Sequence, residues 1–99
     1  MYFFVRTKNP RPNFHVDMTA TERSIMEKHF AYWSETAARG IAIVFGPVMD
    51  PKGVYGIGVY RVRDEIEMRS LVERDPANDL LQYEIFPMPR AVIGAAVPP

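Results

Sequence analysis

Two polar side chains, His29 and Asp75, stand where the local pattern of the chain calls for apolar ones, and as a pair they could carry acid–base chemistry. From Thr21 to Gly40 the sequence reads as a helix. At about 100° per residue, Met26, Phe30, Trp33 and Ala37 fall on one apolar stripe. His29 lies three residues after Met26 and four before Trp33, at the edge of that stripe. An imidazole in apolar surroundings can accept, donate or hold a proton near neutral pH. On a second, shorter helix the same count turns Met68, Leu71 and Val72 inward and Asp75 with them. There, at a helix C-terminus, an anion gains nothing from the helix dipole. If both helices pack on one sheet face, the carboxylate comes within hydrogen-bonding reach of the imidazole. It then fixes the ring tautomer and raises the basicity of the other nitrogen, making His29 a general base or acid. On that geometry Asp75→Asn is expected to weaken the base and leave the fold intact. Each residue also has a structural reading: His29 bonded to a backbone carbonyl, and Asp75-Pro76 as an N-cap followed by proline at the start of a short turn.

The remaining candidates are weaker. His15 sits in a proline-bounded loop, either near an opening to the site or simply in solvent. Arg6, Arg11 and Arg90 could each hold a carboxylate or phenolate through the guanidinium fork, or lie solvated at the surface. His29, His15 and Asp17 are the conceivable metal ligands, but no His-x-x-x-His or Glu-x-x-His spacing is present, and no metal is expected. Gly53 to Gly58 lacks the glycine-rich loop and following helix of a nucleotide site, so no such cofactor is expected either. Ser24, Ser34 and Ser70 have no nucleophile-elbow context. There is no cysteine, which excludes disulfides and thiolate catalysis.

The elements that must position these groups are legible. The 99 residues make one domain, 1–99, with 47% hydrophobic residues and twelve basic side chains balancing twelve acidic ones. That balance argues against a broad nucleic-acid or anionic-membrane surface. No apolar stretch approaches the roughly 18 residues of a membrane span. Met1 to Arg6 reads as a strand rather than a signal peptide, and a cytoplasmic protein is expected.

Tyr2 to Arg6 is the first strand, and Lys8 to Asp17 is an irregular, proline-rich loop anchored by Phe14. Thr19 and Glu22 have capping-box spacing, and Gly40 ends the helix. Ile41 to Phe45 is apolar at consecutive positions. Such a strand is central, or has its second face buried by a partner. Asp50-Pro51-Lys52-Gly53 is a turn into the strand Val54 to Val62, where Gly56, Gly58, Tyr60 and Val62 share a face. The two glycines leave a shallow floor for a ligand or backbone, or room for large neighbours. A helix from Asp64 to Asp75 and a strand from Leu80 to Phe86 follow. In the tail, 88–99, the segment Ala91 to Val97 is expected to add an edge strand or cover a partner.

The order β-α-β-β-α-β gives a ferredoxin-like α+β fold: a four-stranded antiparallel sheet with two helices on one face. Tyr2, Phe4, Tyr60 and Phe86 are too many large residues to lie under two helices, so a homodimer formed by sheet-to-sheet packing is expected.

His29-Phe-Ala-Tyr-Trp33, Gly40, Phe45-Gly-Pro-Val-Met-Asp-Pro-Lys-Gly53, Asp75-Pro76 and Tyr83-Glu-Ile-Phe-Pro87, in that order, resemble the YCII-related domain family from Tyr2 to Arg90. The resemblance implies membership of the dimeric α/β-barrel superfamily. It maps the family's proposed active-site histidine onto His29 and its aspartate before proline onto Asp75, and places its Gly-Pro at Gly46-Pro47. One branch of the family is similar to dehydrochlorinases of chlorinated hydroxyquinols, and the wider superfamily includes muconolactone isomerases and small monooxygenases. The Lys8 to Asp17 loop departs from the simplest family pattern. Two functions follow as expectations. The first is a cofactor-independent enzyme that moves a proton on a small aromatic or lactone-like acid through His29 and Asp75, as an isomerase, lyase or dehydrochlorinase does. The second is a non-catalytic small-molecule-binding or oligomerisation module in which the pair is structural.

Overall fold

Capping fixes the longest helix at both ends. The Thr19 hydroxyl accepts from the Glu22 N–H at 3.1 Å while the Glu22 carboxylate accepts from the Thr19 N–H at 2.9 Å. At the far end Gly40 takes a left-handed φ of 78°. In the computed structural model, which describes residues 1–95, the chain runs β1 (Tyr2–Lys8), α1 (Phe14–Asp17), α2 (Ala20–Ala38), β2 (Ala42–Val48), β3 (Tyr55–Arg61), α3 (Glu65–Glu73) and β4 (Gln82–Pro87). The strands form one antiparallel sheet in the order β2-β3-β1-β4. Both long helices cover the face that carries Phe3, Val5 and Tyr60, and these close the core with Trp33, Met68, Leu71 and Val72. The ferredoxin-like α+β topology expected from the element order is present.

The sheet is open. Among the described residues β2 and β4 each pair on one side only and stand as free edges, which corrects the closed dimeric α/β-barrel form implied by the resemblance. Four strands are too few to curl into a barrel wide enough to be filled by side chains, which takes about eight. The outer face of the sheet carries Phe4 and Phe86, ring centroids 6.4 Å apart, with Phe86 substantially exposed.

Five local expectations also change. β2 is an edge strand, not a central one, and it continues through Gly46-Pro47 because an edge tolerates a residue without an N–H. Its run of consecutive apolar residues reflects an irregularity in register between Ala42 and Val44, which breaks the alternation at Ile43. The proline-rich loop is partly helical: Asn13 carbonyl bonds to Val16 and Asp17 wind the single turn α1, and Phe14 is its buried anchor. Helix α2 is rotated from the expected stripe, with Trp33 and Thr36 buried, Ala37 and Phe30 exposed, and His29 in between. Tyr60 lies under the helices and not on the outer face. Ala91–Ala95 form no strand, and the rest of the expected tail segment lies outside the described residues. Among the described residues no helix is long and apolar enough to cross a membrane.

The glycines of β3 are explained by their neighbours. A Cβ at Gly58 would overlap the Tyr60 hydroxyl and ring, which fold back along the same strand face, and one at Gly56 would press on Thr7 Oγ1 at 2.6 Å. Gly58→Ala is therefore expected to destabilise by about 1–3 kcal/mol through overpacking. A domain of this size then loses roughly 4–8 °C in Tm per kcal/mol. Thermal unfolding checks it, and Gly58→Ala combined with Tyr60→Ala should show less than the sum of the two single losses.

Candidate active site

The site is built around a charge with no access to water. The Asp75 side chain is 0% exposed, placed just beyond the C-cap residue of α3. Its Oδ2 accepts from His29 Nδ1 at 2.7 Å, from the Trp33 indole N–H at 2.7 Å and from the Tyr83 hydroxyl at 2.5 Å. Its Oδ1 accepts from the Ala77 N–H at 2.9 Å and lies 2.9 Å from His29 Nδ1. Trp33 and Ala77 have only donors to offer, so the carboxyl oxygens act as acceptors and Nδ1 carries the ring proton. Burial pulls the Asp75 carboxyl upward, but hydrogen bonds from His29, Tyr83 and the Ala77 N–H outweigh it and hold the group below the usual carboxylate range. Burial, and then the bond to Asp75, push the Tyr83 phenol well up, so it remains a neutral donor.

Both expected readings of Asp75 hold together. One oxygen caps the Pro76-Ala77 turn, while the other side of the carboxylate orients the imidazole. With Nδ1 committed, Nε2 is the nitrogen available to a ligand. The His29 side chain is 18% exposed, and it lines a cavity of about 320 Å³ between α2, the loop carrying α1 and the helix-covered face of the sheet. That volume is at the small end of ligand pockets, the size for a single ring. The walls are largely apolar and aromatic, including Met18, Met26, Phe30, Trp33 and Phe45, with Gly56 and Gly58 in the floor. Among its lining residues are the polar side chains of Thr7, Asn9, His15, Tyr60 and Tyr83, and no arginine or lysine.

The other sequence candidates separate. His15 lines the same cavity and also the groove outside it, so it stands at the mouth. Arg11 grips Glu22 through two bonds of 2.8 and 2.7 Å and Asp17 through one of 2.8 Å, which staples the loop to α2 and leaves no fork for a substrate. Arg6 lies over the Tyr55 ring at 4.2 Å, and neither it nor Arg90 reaches the cavity. His15, His29 and Asp17 do not converge. Among the described residues no three His, Asp or Glu side chains cluster as metal ligands would. Trp33 and Tyr83 are the functional neighbours that periodicity missed, because both also satisfy an apolar pattern. The available signal was their polar tip on an inward face, which must find an acceptor when buried.

The profile of the YCII-related domain family matches residues 2–89. No curated protein matches the sequence. Among solved structures, the chain is similar to the 5-chloro-2-hydroxyhydroquinone dehydrochlorinase of Burkholderia phenoliruptrix, solved in complex with 2,5-dihydroxybenzoquinone. The TM-score is 0.69 at 19% identity, over 92% of this chain and 96% of that one. At that identity the likeness is one of fold.

The geometry changes the expectation for Asp75→Asn. An amide NH₂ in place of one oxygen must face a donor, so the variant is expected to lose about 1–3 kcal/mol of stability. The folded-state pKa of Asp75 is depressed. Its contribution to stability is therefore present above the unfolded carboxylate value of about 4 and is lost as pH falls through the lower folded one. Glu22, pulled down to about 2 by Arg11, weakens over the same range. Urea unfolding from about pH 6 to pH 2 should thus show the gap between wild type and Asp75→Asn closing as the solution is acidified.

Proposed function

The chain belongs to the YCII-related domain family, and on that premise we propose that it is a cofactor-independent enzyme in which His29 moves a proton on a small aromatic or lactone-like acid. The observation that carries this reading is the engagement of His29 Nδ1 by the buried Asp75 carboxylate, beside a ring-sized apolar cavity. The carboxylate holds the tautomer with Nε2 unprotonated and stabilises the imidazolium that forms when Nε2 takes a proton. Returning that proton to another carbon isomerises the substrate. Releasing it while a chloride leaves the neighbouring carbon eliminates HCl. Both reactions balance without an oxidant or reductant.

With no arginine or lysine in the lining, the acidity that suits this cavity is that of a ring hydroxyl or an enol beside a carbonyl. The structural neighbour, a dehydrochlorinase of a chlorinated hydroxyhydroquinone, supports the same ring class. The competing reading is a binding or oligomerisation module. It is favoured by the way Asp75 ties together α2, β4 and the turn after α3 whether or not a substrate turns over. The proposal includes a second copy of the chain as partner, meeting the outer sheet face where Val44 and Phe86 are half exposed. A standard interface buries about 1,600 Å², and light scattering should read twice the mass of the chain.

In D₂O, with 5-chloro-2-hydroxyhydroquinone and a panel of small hydroxyquinones, aromatic acids and lactones, the wild type is expected to release chloride or take up deuterium. His29→Ala should lose about 10²–10⁴-fold of that rate, assayed well below its own melting temperature, which falls because the buried Asp75 carboxylate loses one donor. Equal rates in the two proteins would transfer the assignment to the binding module.

A further inference from the structure

Tyr60 has no place in the proton transfer just described, yet it is the least explained polar group in the molecule. The residue is 4% exposed, and its ring is held from both sides. Trp33 lies against it with centroids 4.8 Å apart, and the bare backbone of Gly58 makes room beneath it. The other aromatic hydroxyls on the helix-covered side have protein acceptors, Tyr32 donating to the Leu71 carbonyl at 2.6 Å and Tyr83 to Asp75. Tyr55, which also lines the cavity, belongs to the opposite face of β3 with Arg6 over its ring. The Tyr60 hydroxyl has none among the described residues. No side-chain oxygen there is both sealed and unpartnered, so this one reaches open space, and the space it lines is the His29 cavity. A phenol is an amphipathic group whose buried O–H calls for a partner, and here the partner must come from a ligand.

We propose that the Tyr60 hydroxyl is the donor for a carbonyl or quinone oxygen of the bound ring, on the carbon next to the one from which His29 removes a proton. This rests on the proton-transfer reading of His29. When Nε2 takes the proton, the electron pair of the broken C–H bond moves into the ring and places negative charge on that oxygen. Tyr60 donates a hydrogen bond to it and keeps its own proton. Burial raises the Tyr60 phenol well above its ordinary range, and the nearby Asp75 charge adds to this, so it stays a donor at neutral pH. Preorganised donors of this kind, aimed at developing charge, are the largest single source of rate in many such sites. Gly58 gains a role beyond packing, since any side chain there would displace the hydroxyl from its position.

The test uses the wild-type chain, labelled at the ring carbons of its two histidines and at Cζ of its five tyrosines, titrated with 2,5-dihydroxybenzoquinone and followed by NMR. Tyr60→Phe and His29→Gln assign the signals. The Tyr60 Cζ and His29 signals should move together with one dissociation constant. Tyr60→Phe, which keeps the ring on Trp33, should melt like wild type and bind the quinone about tenfold or more weakly. With a turned-over substrate the variant should lose about 10²–10³-fold in kcat. Movement of His29 without Tyr60, or unchanged affinity in Tyr60→Phe, overturns the donor assignment and leaves the proton-transfer reading intact. Movement of Tyr60 without His29 keeps Tyr60 as a ligand donor and removes His29 from the chemistry. A quinone that moves neither signal overturns both.

Discussion

A carboxylate taken out of water must be surrounded by donors, and most of the site's architecture follows from meeting that demand for Asp75. An ion left unpaired in an apolar interior costs several kcal/mol, more than a domain of this size can lose several times over. Asp75 draws its donors from α2 through His29 and Trp33, from β4 through Tyr83 and from its own turn through Ala77. The donors come from three different parts of the fold, so the charge acts as a common vertex. The long helix, the last strand and the exit from α3 cannot shift independently without uncovering it. Removing one partner is therefore a structural act as well as a chemical one.

The same vertex sets the rotation of α2. An apolar count alone would turn Phe30 and Ala37 to the sheet, but the helix instead turns His29 and Trp33 inward, because both must reach a single carboxylate. Phe30 is displaced to the rim, where its ring lies 5.8 Å from that of Phe45 and becomes part of the cavity wall. Trp33, held by its N–H, offers its face to Tyr60. The cavity thus arises where a helix oriented by polar contacts no longer fills the space over β3, and the glycines of that strand deepen it.

The elements were legible because their signals are local: a capping box at Thr19, an Asp cap at Asp64, a proline turn at Asp50 and alternation along β3. The pairing of His29 with Asp75 was legible too, since each breaks an apolar pattern, His29 on a helix and Asp75 just past the end of another that covers the same sheet face. The helix rotation, the fate of Arg11 and the place of Tyr60 were not. Each depends on contacts between residues far apart in sequence: Trp33 with Asp75, Arg11 with Glu22, Tyr60 with Trp33. Periodicity ranks residues by polarity and cannot count which acceptor a buried donor will find. The edge position of β2 was hidden for a related reason, because an irregular register imitates the continuous apolar run of a central strand.

Arg11 shows how such accounting decides chemistry. As a free guanidinium it would have been the natural clamp for a carboxylate substrate. Bound to Glu22 and Asp17, it instead immobilises the loop that carries Phe14 and His15, with Asn9 adding a bond to the Val54 carbonyl at 3.1 Å across the mouth. The cation builds a wall and contributes no charge to the interior. What lines the cavity in its place is imidazole, hydroxyl and aromatic surface. Groups of that kind bind a full carboxylate poorly, because no fixed positive charge repays its desolvation. They suit a flat ring whose charge is spread over several oxygens, the substrate class on which the proposed base, His29, and the proposed donor, Tyr60, would act.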